Sequence, residues 1–286
     1  MSRVGVLHPG SMGISLAASA KATGHEVCWA SAGRSEQTRG RAQEHGLLDL
    51  GTVENLCAQC EGIISICPPA ATELVAQEVA ECGFDGIYLD ANAISPERAR
   101  RIAGTIAAAG GRYVDGGVIG GPAWEADKTV LHLSGEAAQE VTAWFRDGLL
   151  ATNILGAGTT EASALKMCFA AYTKGTTALF FSILATSESL GVRAALVRQW
   201  SQGSSGLSER AQQGAGGVTS RAWRWIDEMQ EISRTFEEAG LPGGFHAAAS
   251  EVFRRIEPLR EADAPGVDSV LQALLAAPPG TGDKGV

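Results

Sequence analysis

The chain has 286 residues, 45% hydrophobic and 19% charged, with a formal net charge of −9 at pH 7. That length holds two sizeable cores or one large one. The negative balance argues against nucleic acid and anionic membrane surfaces as partners. The longest apolar candidate, around Ala178–Leu190, is interrupted by Ser182, Thr186, Ser187 and Glu188, and no signal-type pattern opens the chain. A cytoplasmic protein with no membrane span is the expectation. Six cysteines (Cys28, Cys57, Cys60, Cys67, Cys82, Cys168) read as reduced, mostly buried thiols; the pair Cys57-Ala-Gln-Cys60 has no second pair and no nearby His, so no metal is expected.

The first predicted element is a buried strand, Val4–Leu7. It runs into the turn His8-Pro9-Gly10-Ser11-Met12-Gly13 and then a helix over Met12–Ala22. Gly10 and Gly13 remove side chains where backbone amides approach an anion, and the helix directs its positive end at the same point. This is a dinucleotide fingerprint G-x-G-x-x-G with His8 in place of the first Gly. His8 is expected to shape that turn. A second strand, Val27–Ala30, ends where an adenosine ribose would sit. No carboxylate follows until Glu36; Ser31, Arg34 and Ser35 come first, a set suited to a 2′-phosphate, so NADPH is favoured over NADH.

Apolar runs and amphipathic stretches then alternate in the rhythm of a parallel sheet. Strands are expected at Gly62–Ile66, Ile87–Asp90, Tyr113–Val118, Thr129–Ser134 and near Asn153–Leu155, and helices at Arg34–His45, Ala71–Glu81, Pro96–Ala109 and Ala137–Asp147. Ser95-Pro96-Glu97 carries a capping residue and a Pro at the first helical position. After Gly156-Ala157-Gly158 strand patterns cease. Helices follow at about 161–190, 193–202, 220–239, 244–256 and 267–276. The expected architecture is α/β: an N-terminal Rossmann domain with a doubly wound parallel sheet (1–157), an all-helical domain joined by a long interdomain helix (158–277) and a disordered tail (278–286).

Four segments in order give the chain a resemblance to the β-hydroxyacid dehydrogenase and 6-phosphogluconate dehydrogenase superfamily. Val4–Gly13 is similar to its cofactor motif. Ser65-Ile66-Cys67-Pro68-Pro69 is similar to the loop that runs past the nicotinamide ribose. Asp115-Gly116-Gly117-Val118-Ile119-Gly120-Gly121 resembles its substrate loop, and Gly158–Lys166 the start of its interdomain helix, whose Lys is catalytic. Leu89–Pro96 and Arg224–Ile232 look like a branch with its own helical C-terminal domain. The resemblance implies that Lys166 is the general acid/base; by position, Gly120 and Gly121 are expected to offer backbone amides to a substrate oxygen, and Asn92, at the end of its strand, to bond the nicotinamide ribose or carboxamide.

Two positions depart from the family pattern. Ile119 stands where the substrate loop has a Ser, and Ala170 stands four residues after Lys166 where the family has an Asn. Thr173 returns to the face of Lys166 after two turns, with Lys174 beside it, so either is a candidate replacement. Trp225, Glu228, Met229 and His246 are candidates to line a substrate pocket from the helical domain. Six tryptophans in an aromatic-poor chain suggest a buried seam between two copies, hence a homodimer. The leading expectation is an NADPH-dependent oxidoreductase acting on a small hydroxy acid or aldehyde. An imine reductase on the same fold, and a dinucleotide-binding protein without turnover, are the alternatives.

Overall fold

A computed structural model describes residues 2–203, 206–212, 217–262 and 265–276. The expected tail, 278–286, lies outside the described residues. Two compact units divide the chain, Met1–Cys168 and Phe169–Val286. The boundary between them falls inside a long helix.

The first unit is built on eight strands: β1 (Arg3–Val6), β2 (Glu26–Trp29), β3 (Leu48–Asp49), β4 (Gly62–Ser65), β5 (Ile87–Asp90), β6 (Arg112–Ile119), β7 (Val130–Ser134) and β8 (Ala151–Gly156). They form one sheet in the order β3-β2-β1-β4-β5-β6-β7-β8. Six helices cover it: α1 (Ser11–Ala22), α2 (Glu36–Glu44), α3 (Val53–Gln59), α4 (Thr72–Glu81), α5 (Pro96–Ala108) and α6 (Ala138–Ala143). Alternation along the strands sorts side chains onto two faces. On one face Val4, Val6, Ile64 and Leu89 pack with Ile14 and Leu16 of α1, Ala42 of α2 and Val141 of α6. On the other, Ile63, Tyr88 and Tyr113 pack with Leu56 of α3, Val79 of α4 and Ile102 of α5. This is the doubly wound layering that the sequence rhythm implies.

Several details differ from the sequence expectation. β7 runs antiparallel to β6, because residues 120–129 join the two strands without a helix and a loop that short cannot carry a parallel crossover. β3 and α3 have no counterpart in the predicted elements, being only 2 and 7 residues long; Thr52 starts α3 by accepting from the Asn55 amide at 3.2 Å. α6 stops at Ala143, not near Asp147. Trp144 and Phe145 turn into the core there, and Gly148 sits so close to Ser19 that an added Cβ would stand 2.5 Å from Ser19 Cβ.

The helix α7 (Glu161–Ser189) carries the chain from the first unit into the second, which continues with α8 (Arg193–Ser201), α9 (Leu207–Gln212), α10 (Thr219–Glu238), α11 (Gly244–Ile256) and α12 (Val267–Leu275). α9 was not predicted; its 6 residues are too few for a periodic signal. α7 is long and apolar enough to cross a membrane by length and composition, at a mean hydropathy of 1.2 over its most apolar window, of which 44% is buried within the protein. Its hydroxyls interrupt the apolar run less than the sequence suggested, since Ser182 and Ser187 donate to the carbonyls of Ala178 and Leu184, each at 2.8 Å. The tryptophans do not share one seam: Trp29 and Trp144 are buried in the first unit's core and Trp124 is exposed on its surface.

Candidate active site

The turn after β1 is held by three backbone contacts. Leu7 N–H donates to Ile64 O at 3.1 Å, Gly10 N–H to His8 O at 2.7 Å, and Arg41 Nη1 to Pro9 O at 3.2 Å. Gly13 lies so close beneath this turn that an added Cβ would stand 2.2 Å from His8 O, a contact only glycine permits. Above, nothing lies within 4 Å of where a Gly10 Cβ would be, and no side chain caps α1. The turn His8–Gly13 is therefore a concave cradle under the positive end of a helix, with Ser11 exposed and Met12 half-buried at its rim. The residues present fit a dinucleotide pyrophosphate.

The ribose side is assembled from β2 and the loop after it. Ser31 is buried. Ser35 is exposed and its hydroxyl caps α2, accepting from Thr38 N–H at 3.3 Å. Arg34 is half-buried, and its Nε is buried without a hydrogen bond inside the protein. Its charge is felt at His8, whose pKa burial and then Arg34 depress to about 4, so His8 is neutral at physiological pH. It is felt also at Cys67, whose thiol burial pushes up to about 12. An orphaned guanidinium nitrogen between two segments of the cradle suits an anionic group of a bound ligand.

The loop Cys67-Pro68-Pro69 leaves the end of β4, with Pro69 buried and Pro68 exposed. Asn92 holds it. The Asn92 side chain is 2% exposed; its Oδ1 accepts from Cys67 N–H at 2.6 Å, and its Nδ2 donates to Asp90 Oδ1 at 2.5 Å and to Ser65 Oγ at 3.2 Å. Thus Asn92 spends its amide inside the protein and fixes the loop from beneath.

Register then brings four polar residues into one row across the sheet. Ser65 pairs with Asp90, Asp90 with Asp115, and Asp115 with Ser134, and all four are buried. Burial raises Asp90 to about 6, opposed by the Asn92 bonds, and Asp115 to about 7, opposed by bonds from Ser163. Asp115 also ties the sheet to α7. Ser163 Oγ donates to Asp115 Oδ1 at 2.5 Å, Ser163 N–H to Asp115 Oδ2 at 2.8 Å, and Ala162 N–H to Ser134 Oγ at 3.1 Å. Two first-turn amides of α7 thus find acceptors on β6 and β7, the same service as an N-cap, on the order of 1 kcal/mol each.

One turn further along α7, Lys166 Nζ donates to Val118 O at 2.8 Å. The helix can approach β6 this closely because Gly117 has no side chain: an added Cβ would meet Ala162 O at 2.5 Å and Lys166 Cβ at 3.1 Å. Beyond Val118 come half-buried Ile119 and the exposed Gly120 and Gly121. Gly120 has φ +125°, and Thr129 Oγ1 pins the loop by donating to Gly121 O at 2.7 Å. One ammonium and an open backbone loop therefore meet at the end of β6.

In the second unit the remaining candidates form a separate cluster. Lys174 and Glu228 make a buried ion pair, with Trp225 facing the ammonium at 5.8 Å from its ring centroid. His246 is buried between Phe236 and Phe245, with ring centroids at 4.3 and 5.1 Å; its Nδ1 has no partner, and burial lowers its pKa. Gly175 faces the same cluster: an added Cβ would lie 3.2 Å from Phe245 Cε1 and 3.6 Å from His246 Nδ1. Met229 is fully buried, and the Thr173 hydroxyl donates back to Phe169 O at 3.2 Å.

A doubly wound sheet with an anion cradle after its first strand defines a class, the dinucleotide-binding proteins. Residues 3–147 match the NAD binding domain of 6-phosphogluconate dehydrogenase, and the chain belongs to that family of NAD(P)-dependent oxidoreductases. Residues 187–256 match a domain of unknown function (DUF1932). No curated protein matches the sequence. Among solved structures, a conserved protein of unknown function described as similar to 3-hydroxyacid dehydrogenases is 27% identical, at a TM-score of 0.68 over 90% of this chain and 98% of its own. The Mycobacterium tuberculosis 3-hydroxyisobutyrate dehydrogenase, solved with L-serine, has the same fold at 16% identity and a TM-score of 0.68, over 96% of this chain and 100% of its own. So does an Aspergillus terreus reductive aminase in complex with NADPH and ethyl levulinate, at 18% and 0.57, over 95% and 99%.

Proposed function

We propose that this chain is an NADPH-dependent reductase or dehydrogenase of a small hydroxy acid or aldehyde, with Lys166 as its general acid/base. The observation that carries the reading is the placing of Lys166 Nζ at Val118 O, where β6 opens into the Gly120-Gly121 loop. A reduced nicotinamide supplies hydride to the electrophilic carbon when bound. The Lys166 ammonium gives the proton to the heteroatom and takes it back in the reverse direction. The amides of Gly120 and Gly121 orient a substrate oxygen, and the Asn92-braced Cys67 loop holds the nicotinamide side of the cofactor. A hydroxyacid dehydrogenase with the same fold, solved with L-serine, supports a small polar substrate.

Ile119 and Ala170 favour a second reading, an imine substrate. Both replace polar residues that the family uses to grip a carboxylate, and reductive aminases share the fold. A substrate panel of hydroxy acids with the oxidised cofactor, and of aldehydes and cyclic imines with the reduced one, separates the two, since only one reading's substrates support steady turnover of the cofactor.

The preference for NADPH rests on Arg34, whose Nε is buried without a hydrogen bond and whose charge is felt at His8, and on the missing carboxylate after β2. NADPH is expected to bind at least several-fold tighter than NADH. Arg34→Ala is expected to weaken NADPH by about 1.5–3 kcal/mol, the scale of a hydrogen bond to a charged group, and to leave NADH nearly unchanged. Fluorescence titration of both cofactors checks this; tighter NADH in the parent protein refutes it.

A homodimer is the proposed assembly. Phe169, Tyr172, Leu179, Ile183 and Leu190 lie exposed along one stripe of α7 and its end, a face that a second copy would cover. Light scattering at micromolar concentration is expected to give twice the chain mass of 29.7 kDa. A monomeric mass ends the idea.

A further inference from the structure

Nothing in the family pattern quoted above gives Asp115 a task. It is fully buried on β6, yet it accepts two hydrogen bonds from one residue of another element, Ser163, through both carboxylate oxygens. Ser163 lies three residues before Lys166 on α7, and Asp115 lies three residues before Val118 on β6. The two elements are therefore stitched at two rungs, Asp115 to Ser163 and Val118 to Lys166, with Gly116 and Gly117 between them. Gly117 lets the helix backbone come to van der Waals contact with the strand; the lower rung decides at what height along the strand it does so. A helix rises about 1.5 Å per residue and turns about 100°, so slippage by one residue would carry the ammonium away from the end of β6 altogether.

We propose that Asp115 is a positioning residue: through Ser163 it sets the register of α7 against β6 and thereby the place of the Lys166 ammonium at the Gly120-Gly121 loop. Ser134 belongs to the same device, since its hydroxyl donates to Asp115 at 3.2 Å and accepts from Ala162 N–H at 3.1 Å. The charged and titratable neighbours of Asp115 are Asp90, beside it in the row, and Tyr113, whose hydroxyl donates to Asp90 at 3.3 Å. The proposal rests on the reading of Lys166 as proton donor, and its test separates the two.

The chain has only five lysines, Lys21, Lys128, Lys166, Lys174 and Lys284, so reductive ¹³C-methylation gives six signals on the full-length protein, five from lysines and one from the α-amine. Dimethylation keeps the charge and one N–H for Val118 O. Lys166 is assigned through Lys166→Arg. Asp115→Ala is expected to move the Lys166 methyl resonance while Lys21 and Lys128, elsewhere in the same unit, stay in place. Asp115→Asn is expected to hold Lys166 near its parent position, because the amide still accepts from Ser163 N–H and donates to Ser163 Oγ. In the same proteins kcat on a panel substrate falls at least tenfold for Asp115→Ala and recovers for Asp115→Asn, with the NADPH Kd unchanged. An unmoved Lys166 signal in folded Asp115→Ala overturns the proposal. Should Asp115→Ala not fold, Ser163→Ala removes one rung bond only, and an unmoved Lys166 signal there overturns it equally. If Lys166 moves but Lys166→Met itself keeps full turnover, the proton-donor reading falls and the positioning stands.

Discussion

Lys166→Met is expected to lower turnover by about 10²–10⁴-fold, the span of a lost general acid–base group, with little change in cofactor affinity. Methionine keeps the apolar stem that packs beside Gly117, so the close approach of α7 to β6 survives while the proton is lost. Arginine at the same place would keep a charge that cannot cycle a proton near neutral pH. The comparison that matters is with Lys174→Met, two turns along α7. Lys174 already has a buried partner in Glu228, so its loss removes a buried ion pair and is expected to act on stability first. Steady-state kinetics on the best panel substrate, with melting temperatures for both variants, checks the pair. Near-parent turnover in Lys166→Met refutes the assignment.

Gly13→Ala is expected to abolish tight cofactor binding. The new methyl would stand 2.2 Å from His8 O and 3.0 Å from Ile66 Cγ2, and neither neighbour can yield cheaply: one is backbone, the other lies at the end of β4. The turn must lift, and the amides that cradle phosphate lift with it. A loss of at least about 100-fold in NADPH affinity is expected, roughly 2.7 kcal/mol. Calorimetric titration against a variant with parent-like circular dichroism measures it, and an affinity within a few-fold of the parent contradicts the cradle.

The parts of this protein that could be read from sequence are those where one local rule decides. Apolar runs with Gly or Pro at their ends marked seven strands, and Gly10 and Gly13 marked the cofactor turn, because both signals are contained in a few adjacent residues. The row Ser65, Asp90, Asp115, Ser134 could not be read in this way. Asp90 and Ser134 close their apolar runs while Ser65 and Asp115 stand inside theirs; only strand register sets the four side by side. A signal did exist in the single Ser or Asp that each of four successive runs carries. Asn92 was assigned to cofactor by position alone, and the structure shows its amide engaged with Cys67, Asp90 and Ser65. The reversal of β7 depends on the length of a connection, which periodicity does not weigh.

The first amides of α7 are bound by strand residues, not by the turn that precedes the helix. The segment 157–160 is accordingly freed from the duty of setting where the helix begins. Insertions or deletions in that turn can accumulate over evolutionary time while the lysine keeps its station, since loop-closure entropy grows only slowly with length. A change of length in that turn and a fixed place for the Lys166 ammonium are thereby made compatible within one short stretch of chain.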